Sequence, residues 1–244
     1  FDIFSYSCMN CLRSLDYIKE IDNKYKKYGL KTILIHPPEW DFEKDSSNII
    51  KAAKKYKIKM PIIIDKNKKI IKKLKINFWP TQVLIKNKKI VYRHVGEGGY
   101  RRLERRIIEA LKIKSHAIFN KEPEYTKFPT VYAGKKKHGK ISELKNKIDF
   151  RVIYKKGIWN QNDESLTGKG SLTIKTKGKI ISMVAKPINK NPIKINIKLN
   201  NKSIKDIIIS NPQLYDIIKL SNNESKILSI ETKSKIVVYS FAFR

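Results

Sequence analysis

Apolar residues recur at three- and four-residue steps through Leu12, Leu15, Ile18, Ile21 and Tyr25, which predicts an amphipathic helix over residues 7–28, ended by Gly29. Ahead of it Phe1-Asp2-Ile3-Phe4 reads as the tail of a buried strand, and residues 31–36 (KTILIH) as a second strand, buried on both faces. A helix over residues 45–56, with Asp45 or Ser46 as N-cap, precedes a short strand at 60–65 and a short helix at 68–74. Strands at 82–85 and 89–94 flank Lys86-Asn87-Lys88 as an antiparallel hairpin. A helix at 99–111 follows, apolar at Leu103, Ile107, Ile108 and Leu111. Strands alternating with helices and ending in a hairpin and a helix predict an α/β sandwich with a mixed central sheet over residues 1–113.

The period then changes. Residues 114–128 lose the alternation and carry a proline, so a linker is expected there. From 129 to 244 the pattern is all-β, with strands at 151–154, 170–176, 180–185, 193–199, 204–209, 225–232 and 235–243. Isoleucine–lysine alternation from Ile193 to Leu199 puts one face in a core and the other in water. Joins at Lys177-Gly178, Asn200-Asn201 and Asn222-Asn223 carry turn chemistry. Short strands at this spacing predict a β-sandwich or jelly roll.

Composition changes the picture little. The chain has 244 residues, enough for two modest domains, with 41% hydrophobic residues to build their cores. It has no run long enough to span a membrane. Its 54 Lys+Arg against 22 Asp+Glu give a net charge of +32. The lysines are spread over nearly every segment and alternate with isoleucines, so they form no patch, and no specific nucleic-acid partner is expected. Because the first residues read as the middle of a strand, the opening strand is expected to be truncated. An anchoring segment is expected upstream of residue 1.

The chemistry concentrates in Cys8-Met9-Asn10-Cys11, which holds the only two cysteines. Thiols at i and i+3 close a small reversible disulfide if a helix begins at the first one, where unpaired backbone N–H groups and the helix dipole stabilise a thiolate. Half of a zinc site is one alternative, but structural zinc takes about four Cys or His ligands. The four histidines, His36, His94, His116 and His138, lack paired spacing. A static disulfide is another alternative, though so short a loop gains little from cross-linking. Phe78-Trp79-Pro80-Thr81 supplies a second feature. A proline entering a strand belongs at an edge, at a first residue or in a cis bond, and a plain turn proline is the other reading. Gly96-Glu97-Gly98-Gly99 lacks the spacing of a phosphate-binding loop and reads as a hairpin-to-helix turn.

In order along the chain, Phe4-Ser5-Tyr6-Ser7-Cys8-Met9-Asn10-Cys11-Leu12-Arg13, His36-Pro37-Pro38-Glu39, Phe42-Glu43-Lys44, Phe78-Trp79-Pro80-Thr81 and Gly96-Glu97-Gly98 resemble extracytoplasmic thioredoxin-like proteins of the TlpA type. More closely, the chain is similar to the DipZ-like group, in which a β-sandwich resembling a carbohydrate-binding module follows. Thr130-Val131-Tyr132-Ala133-Gly134 and Val238-Tyr239-Ser240-Phe241-Ala242-Phe243 carry that second likeness.

The resemblance implies a thiol–disulfide oxidoreductase without metal, flavin or nucleotide cofactor, working through a Cys8–Cys11 dithiol/disulfide couple. Cys8 is then the nucleophile, Cys11 the resolving thiol and Pro80 a cis-proline. Glu39 matches an acidic residue that moves a proton to or from Cys11; an exposed loop carboxylate is the alternative. Tyr6, Trp79, Pro80 and Thr81 frame the substrate surface, unless Tyr6 and Trp79 simply pack beside the helix. His36 reads as a strand-end residue rather than a base. Expected partners are proteins with disulfides, a membrane thiol donor of the CcdA type and a glycan or envelope ligand for the β-domain. The expected location is the outer face of the cytoplasmic membrane.

Met9-Asn10 departs from the Gly-Pro of thioredoxin, so the direction of electron flow is not inherited. Two other functions compete. A thiol peroxidase would use Arg13 beside the cysteine, and a non-catalytic glycan binder would use Trp159, Tyr132 or Tyr215 as an exposed platform.

Overall fold

The computed structural model describes residues 1–120, 128–222 and 224–244. Residues 121–127, half of the expected linker, and Asn223 of the Asn222-Asn223 join lie outside the described residues. The chain divides into two units, Phe1–Glu124 and Tyr125–Arg244.

The first unit is a five-stranded mixed sheet with helices on its faces. Strands β1 (Asp2–Ile3), β2 (Leu34–His36), β3 (Ile62–Ile64), β4 (Thr81–Lys86) and β5 (Lys89–Val95) lie in the order β3-β2-β1-β4-β5. The first three are mutually parallel, and β4 turns antiparallel to β1. The β4–β5 hairpin turns on Asn87 and Lys88, both at positive φ (50° and 62°), as a two-residue hairpin with the right-handed strand twist requires.

Four helices complete the unit: α1 (Met9–Tyr25), α2 (Ser46–Lys55), α3 (Lys69–Lys73) and α4 (Tyr100–Leu111). Helix α1 runs into a 3-10 turn, Lys26–Tyr28, that ends at Gly29 with φ 98°. Asp45 caps α2 by accepting from the Ser47 N–H at 2.9 Å. Side chains alternate across the sheet. Ile3, Ile35 and Val83 pack on one face against Ile71 of α3 and Ile76. Asp2 and Gln82 point to the other face, where they line a cavity of about 440 Å³ with Ile18, Ile21, Leu103 and Ile107.

Helices α1 and α4 meet through polar and aromatic groups. The Tyr17 and Tyr100 rings stack 4.2 Å apart, and Ser14 Oγ lies 2.5 Å from the Tyr100 hydroxyl. Glu104 of α4 is fully buried and accepts from the Tyr25 hydroxyl at 2.7 Å. Its carboxylate also takes the N–H groups of Ile118 (2.7 Å) and Phe119 (3.0 Å), so the chain beyond α4 is held against the first unit as far as Phe119.

The second unit is all-β. A nine-stranded sheet runs β12-β11-β14-β9-β8-β7, with β10, β13 and β6 joined through β14. The strands are β6 (Val131–Tyr132), β7 (Lys140–Glu143), β8 (Val152–Gln161), β9 (Leu166–Lys177), β10 (Ile180–Pro187), β11 (Ile193–Leu199), β12 (Lys202–Ile209), β13 (Gln213–Lys219) and β14 (Ser225–Phe243). The two strands expected at 225–232 and 235–243 are one. A bulge between Thr232 and Ile236 shifts its register, and its pairing passes from β11 to β10. Ile193, Ile195 and Ile197 point into the core, as their alternation requires.

The sequence pattern missed β6, β7 and β13, and it cut β8 short at 154 although pairing with β9 continues to Gln161. The facing pair Gly157 and Gly170, both at positive φ, lets that ladder continue: a Cβ at Gly170 would sit 2.2 Å from the Lys156 carbonyl oxygen. None of the three aromatics considered for a glycan platform stands free. Trp159 is buried, Tyr132 lies under the Lys137 ammonium, and Tyr215 hydrogen-bonds to Asn211.

Replacing Glu104 with Ala strands three buried donors at once. The expected loss is about 3 kcal/mol of unfolding free energy, read from a urea midpoint, with faster proteolysis near residues 114–120.

Candidate active site

Strand β1 ends at Ile3, and the chain turns through Ser5-Tyr6-Ser7 directly into Cys8. The turn closes when the Cys8 N–H donates to the Ser5 carbonyl at 3.2 Å. Cys8 is the N-cap of α1. Its backbone is extended, its carbonyl takes the Leu12 N–H at 3.0 Å, and its Sγ accepts from the Cys11 N–H at 3.4 Å. The sulfur therefore occupies the place usually taken by a serine or aspartate oxygen. Cys8 is half-buried, Cys11 is fully buried and both are free thiols. Burial, and then the hydrogen bond and charge of Cys8, push the Cys11 thiol well above its ordinary value, while a backbone hydrogen bond from Ser5 works the other way. One thiol faces solvent at a helix start, and a reluctant second one waits behind it.

The Trp79–Pro80 bond is cis. Because Thr81 pairs with Ile3, Pro80 enters the sheet at the end where β1 hands the chain on to Cys8. The Pro80 carbonyl takes the Gly96 N–H at 2.8 Å, and the Thr81 hydroxyl donates to the Phe78 carbonyl at 2.7 Å.

The four residues expected to frame the substrate surface do not behave alike. Trp79 is half-exposed, but Pro80 and Thr81 are buried. Tyr6 is 1% exposed, stacked on His36 with ring centroids 5.4 Å apart, so it packs beneath the site rather than bordering it. Phe78, given no role of its own in the sequence, is 69% exposed and offers apolar surface there.

Glu39, expected to serve Cys11, is half-buried and accepts from the Trp79 indole N–H at 3.2 Å. The carboxyl tied to the cysteine turn is Glu43. It is fully buried and takes the Ser5 hydroxyl, the Ser7 hydroxyl and the Glu39 N–H, each at 2.6 Å. Burial and the nearby Glu39 charge push it up to about 7, against the pull of those three donors. Asp2, buried on β1, accepts from Gln82 at 2.9 Å and is likewise pushed up to about 7 by burial. His36 closes β2, accepts from the Tyr6 N–H at 3.3 Å and is pushed down to about 4 by burial. It is neutral near pH 7, a strand-end residue as expected.

Sequence reasoning gave no role to Asp2, Ser5, Ser7 or Glu43, although the last three lie in the stretches that carry the family resemblance and Asp2 is an aspartate inside an otherwise apolar strand. Arg13 is held bidentately by Glu97, at 2.5 and 2.6 Å, and bonds Asn10 at 2.7 Å. That commitment leaves the peroxidase reading without support from its arginine.

The two raised carboxyls set a pH dependence. Each binds its proton more tightly folded than unfolded, so its contribution to stability is present at low pH and is lost as pH rises through about 7. His36, pushed down to about 4 by burial, works the other way: stability rises with pH through its unfolded value of 6.5 and offsets part of that loss. Chemical denaturation at pH 6 and pH 8 should show a fall of about 1 kcal/mol per carboxyl.

Comparisons with known proteins bear on both units. Residues 3–111 match the redoxin family, and residues 131–243 match the family described as thioredoxin-like C-terminal domain. Protein DipZ of Mycobacterium bovis is 32% identical over 130 residues, covering 52% of this chain and 19% of DipZ. Thiol-disulfide oxidoreductase ResA of Bacillus cereus is 32% identical over 98 residues, covering 40% of this chain and 54% of ResA. Among solved structures, StoA from Bacillus subtilis superposes with a TM-score of 0.38 at 16% identity, covering 43% of this chain and 77% of StoA. The chain thus spans about a fifth of the length of DipZ and about half that of ResA. Residues 3–111 thus carry a redoxin domain and residues 131–243 a thioredoxin-like C-terminal domain, a pairing similar to TlpA-like thiol–disulfide oxidoreductases that carry a C-terminal β-domain.

Proposed function

We propose that the protein reduces disulfides in other proteins through the Cys8–Cys11 couple. The observation that carries this reading is the pairing of a half-exposed N-cap thiol with a buried thiol one helical turn on. Cys8, as thiolate, attacks one sulfur of a substrate disulfide. The substrate S–S bond breaks, a mixed disulfide forms, and the departing substrate sulfur takes up a proton. Cys11 then gives up its proton and attacks Cys8 Sγ. The Cys8–substrate bond breaks, the second substrate thiol leaves, and a Cys8–Cys11 disulfide remains. Two electrons have passed to the substrate. A dithiol donor returns the couple to its reduced form by the same exchange.

The high proton affinity of Cys11 suits this order, because it keeps the resolving thiol protonated until Cys8 is engaged. Trp79 and exposed Phe78 give an extended polypeptide an apolar surface at the same end of the sheet. The donor we favour is a membrane thiol carrier of the CcdA type, with the protein working on the outer face of the cytoplasmic membrane. Apocytochrome c cysteines are one candidate substrate class. The likeness to DipZ and to thiol-disulfide oxidoreductase ResA supports this choice. The β-domain then localises the redox unit on an envelope component or a glycan.

The reduction potential of the couple, followed by alkylation in a thiol buffer series, tests the direction. A value at or below about −270 mV fits a reductase, whereas one near −120 mV makes the protein an oxidant. Cys11→Ser should accumulate mixed disulfides with substrate proteins on a non-reducing gel, and Cys8→Ser should form none. A wild-type pair that never cycles would sink the redox reading.

A further inference from the structure

A buried carboxyl that collects two serine hydroxyls from the same short turn is an unusual use of a charge. Glu43 has no solvent exposure, and among the described residues no lysine or arginine contacts it. Leaving a carboxyl in so apolar a place costs several kcal/mol unless its lone pairs are met. Here they are met by three donors, two of which lie between β1 and the nucleophile. Ser5 bonds Glu43 through its hydroxyl, while its carbonyl holds the Cys8 N–H at 3.2 Å and its backbone touches the Cys11 thiol. Ser7, adjacent to Cys8, bonds the same Oε1 atom. The carboxyl therefore grips both ends of the three-residue turn that sets where Cys8 stands.

We propose that Glu43 is the positioning residue of the redox centre, fixing the Ser5–Ser7 turn and, through its own charge state, setting the reactivity of Cys8. This rests on the redox reading above but assigns a task to a residue outside the cysteine motif. When Glu43 is ionised, both hydroxyls point their protons at it, and a negative charge sits behind the Cys8 turn. When Glu43 is protonated, its new O–H needs an acceptor, and a serine oxygen is the available one. At least one serine hydroxyl must then rotate away, and the charge disappears. Both changes favour thiolate at Cys8, one by freeing a donor and one by removing a repulsion.

Other titratable groups around Glu43 lie on the neighbouring elements, and Tyr6 lies in the turn itself. Glu39 lies on its own loop and contributes its N–H and a like charge. The two thiols open α1, Asp2 sits on β1, and His36, at the end of β2, is neutral near pH 7. Burial holds Glu43 at about 7, so both charge states are populated near neutrality.

The test is the alkylation rate of Cys8 in the full chain by iodoacetamide from pH 5 to pH 9, comparing wild type with Glu43→Gln. Cys11 is replaced by Ser in both, so that one thiol is read. Glutamine keeps the volume and stays neutral. The expected ratio of variant to wild-type rate is near one below about pH 6 and rises at least about threefold above pH 8. A purely structural role would shift the ratio equally at every pH, so a flat ratio overturns the proposal.

If Glu43→Gln fails to fold by circular dichroism, Ser7→Ala decides in its place. Losing one donor weakens the ionised form, so the inflection near pH 7 in the rate profile should move up. An unmoved inflection overturns the proposal. The readout needs only the Cys8 thiol, so failure here is separable from failure of the wild-type couple to cycle.

Discussion

The two residues of β1 hold the first unit together, because they are hydrogen-bonded into the middle of the sheet. Asp2 and Ile3 pair in parallel with Leu34 and Ile35 on one side and antiparallel with Gln82 and Thr81 on the other. Rotating this strand or slipping its register by one residue would exchange its faces, sending Ile3 out of the core shared with Ile35 and Val83. With the register fixed, two consequences follow. The chain leaves β1 at the sheet end where the cysteine turn begins, and β4 enters at that same end through Pro80. The cysteine turn and Pro80 come to the same sheet end because one continues β1 and the other leads into β4, its antiparallel neighbour.

Around that junction the polar groups behave as a set. Asp2 and Glu43 are both buried and both held near 7 by burial, while His36 is driven down to about 4 by the same cause. His36 is thereby neutral near pH 7, while Asp2 and Glu43 are each held where both charge states are populated. The serines of the turn and the indole of Trp79 complete the network by meeting the carboxylates Glu43 and Glu39. Permanent charge is handled separately, in the Arg13–Glu97 pair, where a bidentate fork satisfies both partners at the surface of α1. Lys68 reaches this network, its ammonium 5.7 Å from the centroid of the Trp79 ring.

The second unit solves a different problem. Its strands are long, and β14 pairs with β11 along its first half, with β10 along its second, and with β9 from Ser225 to Val238. A bulge makes that change possible without ending the strand. In β11 the core isoleucines Ile193, Ile195 and Ile197 alternate with residues outside that core, a period of two along the strand. The aromatics that could have formed a flat exposed platform are instead buried, covered or hydrogen-bonded.

Local pattern determined a good deal. Helix period marked α1 and α4, strand period marked β11, and the Asn87-Lys88 and Asn200-Asn201 turns lie at positive φ, where such hairpins need them. The cysteine spacing pointed to a redox couple, since two thiols one helical turn apart are a local fact. Pro80 as a strand-entry proline was also legible, though its cis bond was only one of several readings. What tertiary structure alone decided is which side chains surround the couple. Tyr6 lies under the site rather than at its rim, and Phe78 takes the exposed place. Glu43, rather than Glu39, grips the cysteine turn, although both lie on the same short loop. Four residues of sequence separate those glutamates, and no periodicity distinguishes them. Burial does: Glu43 is fully buried against the Ser5–Ser7 turn, while Glu39 is half-buried beside the Trp79 indole.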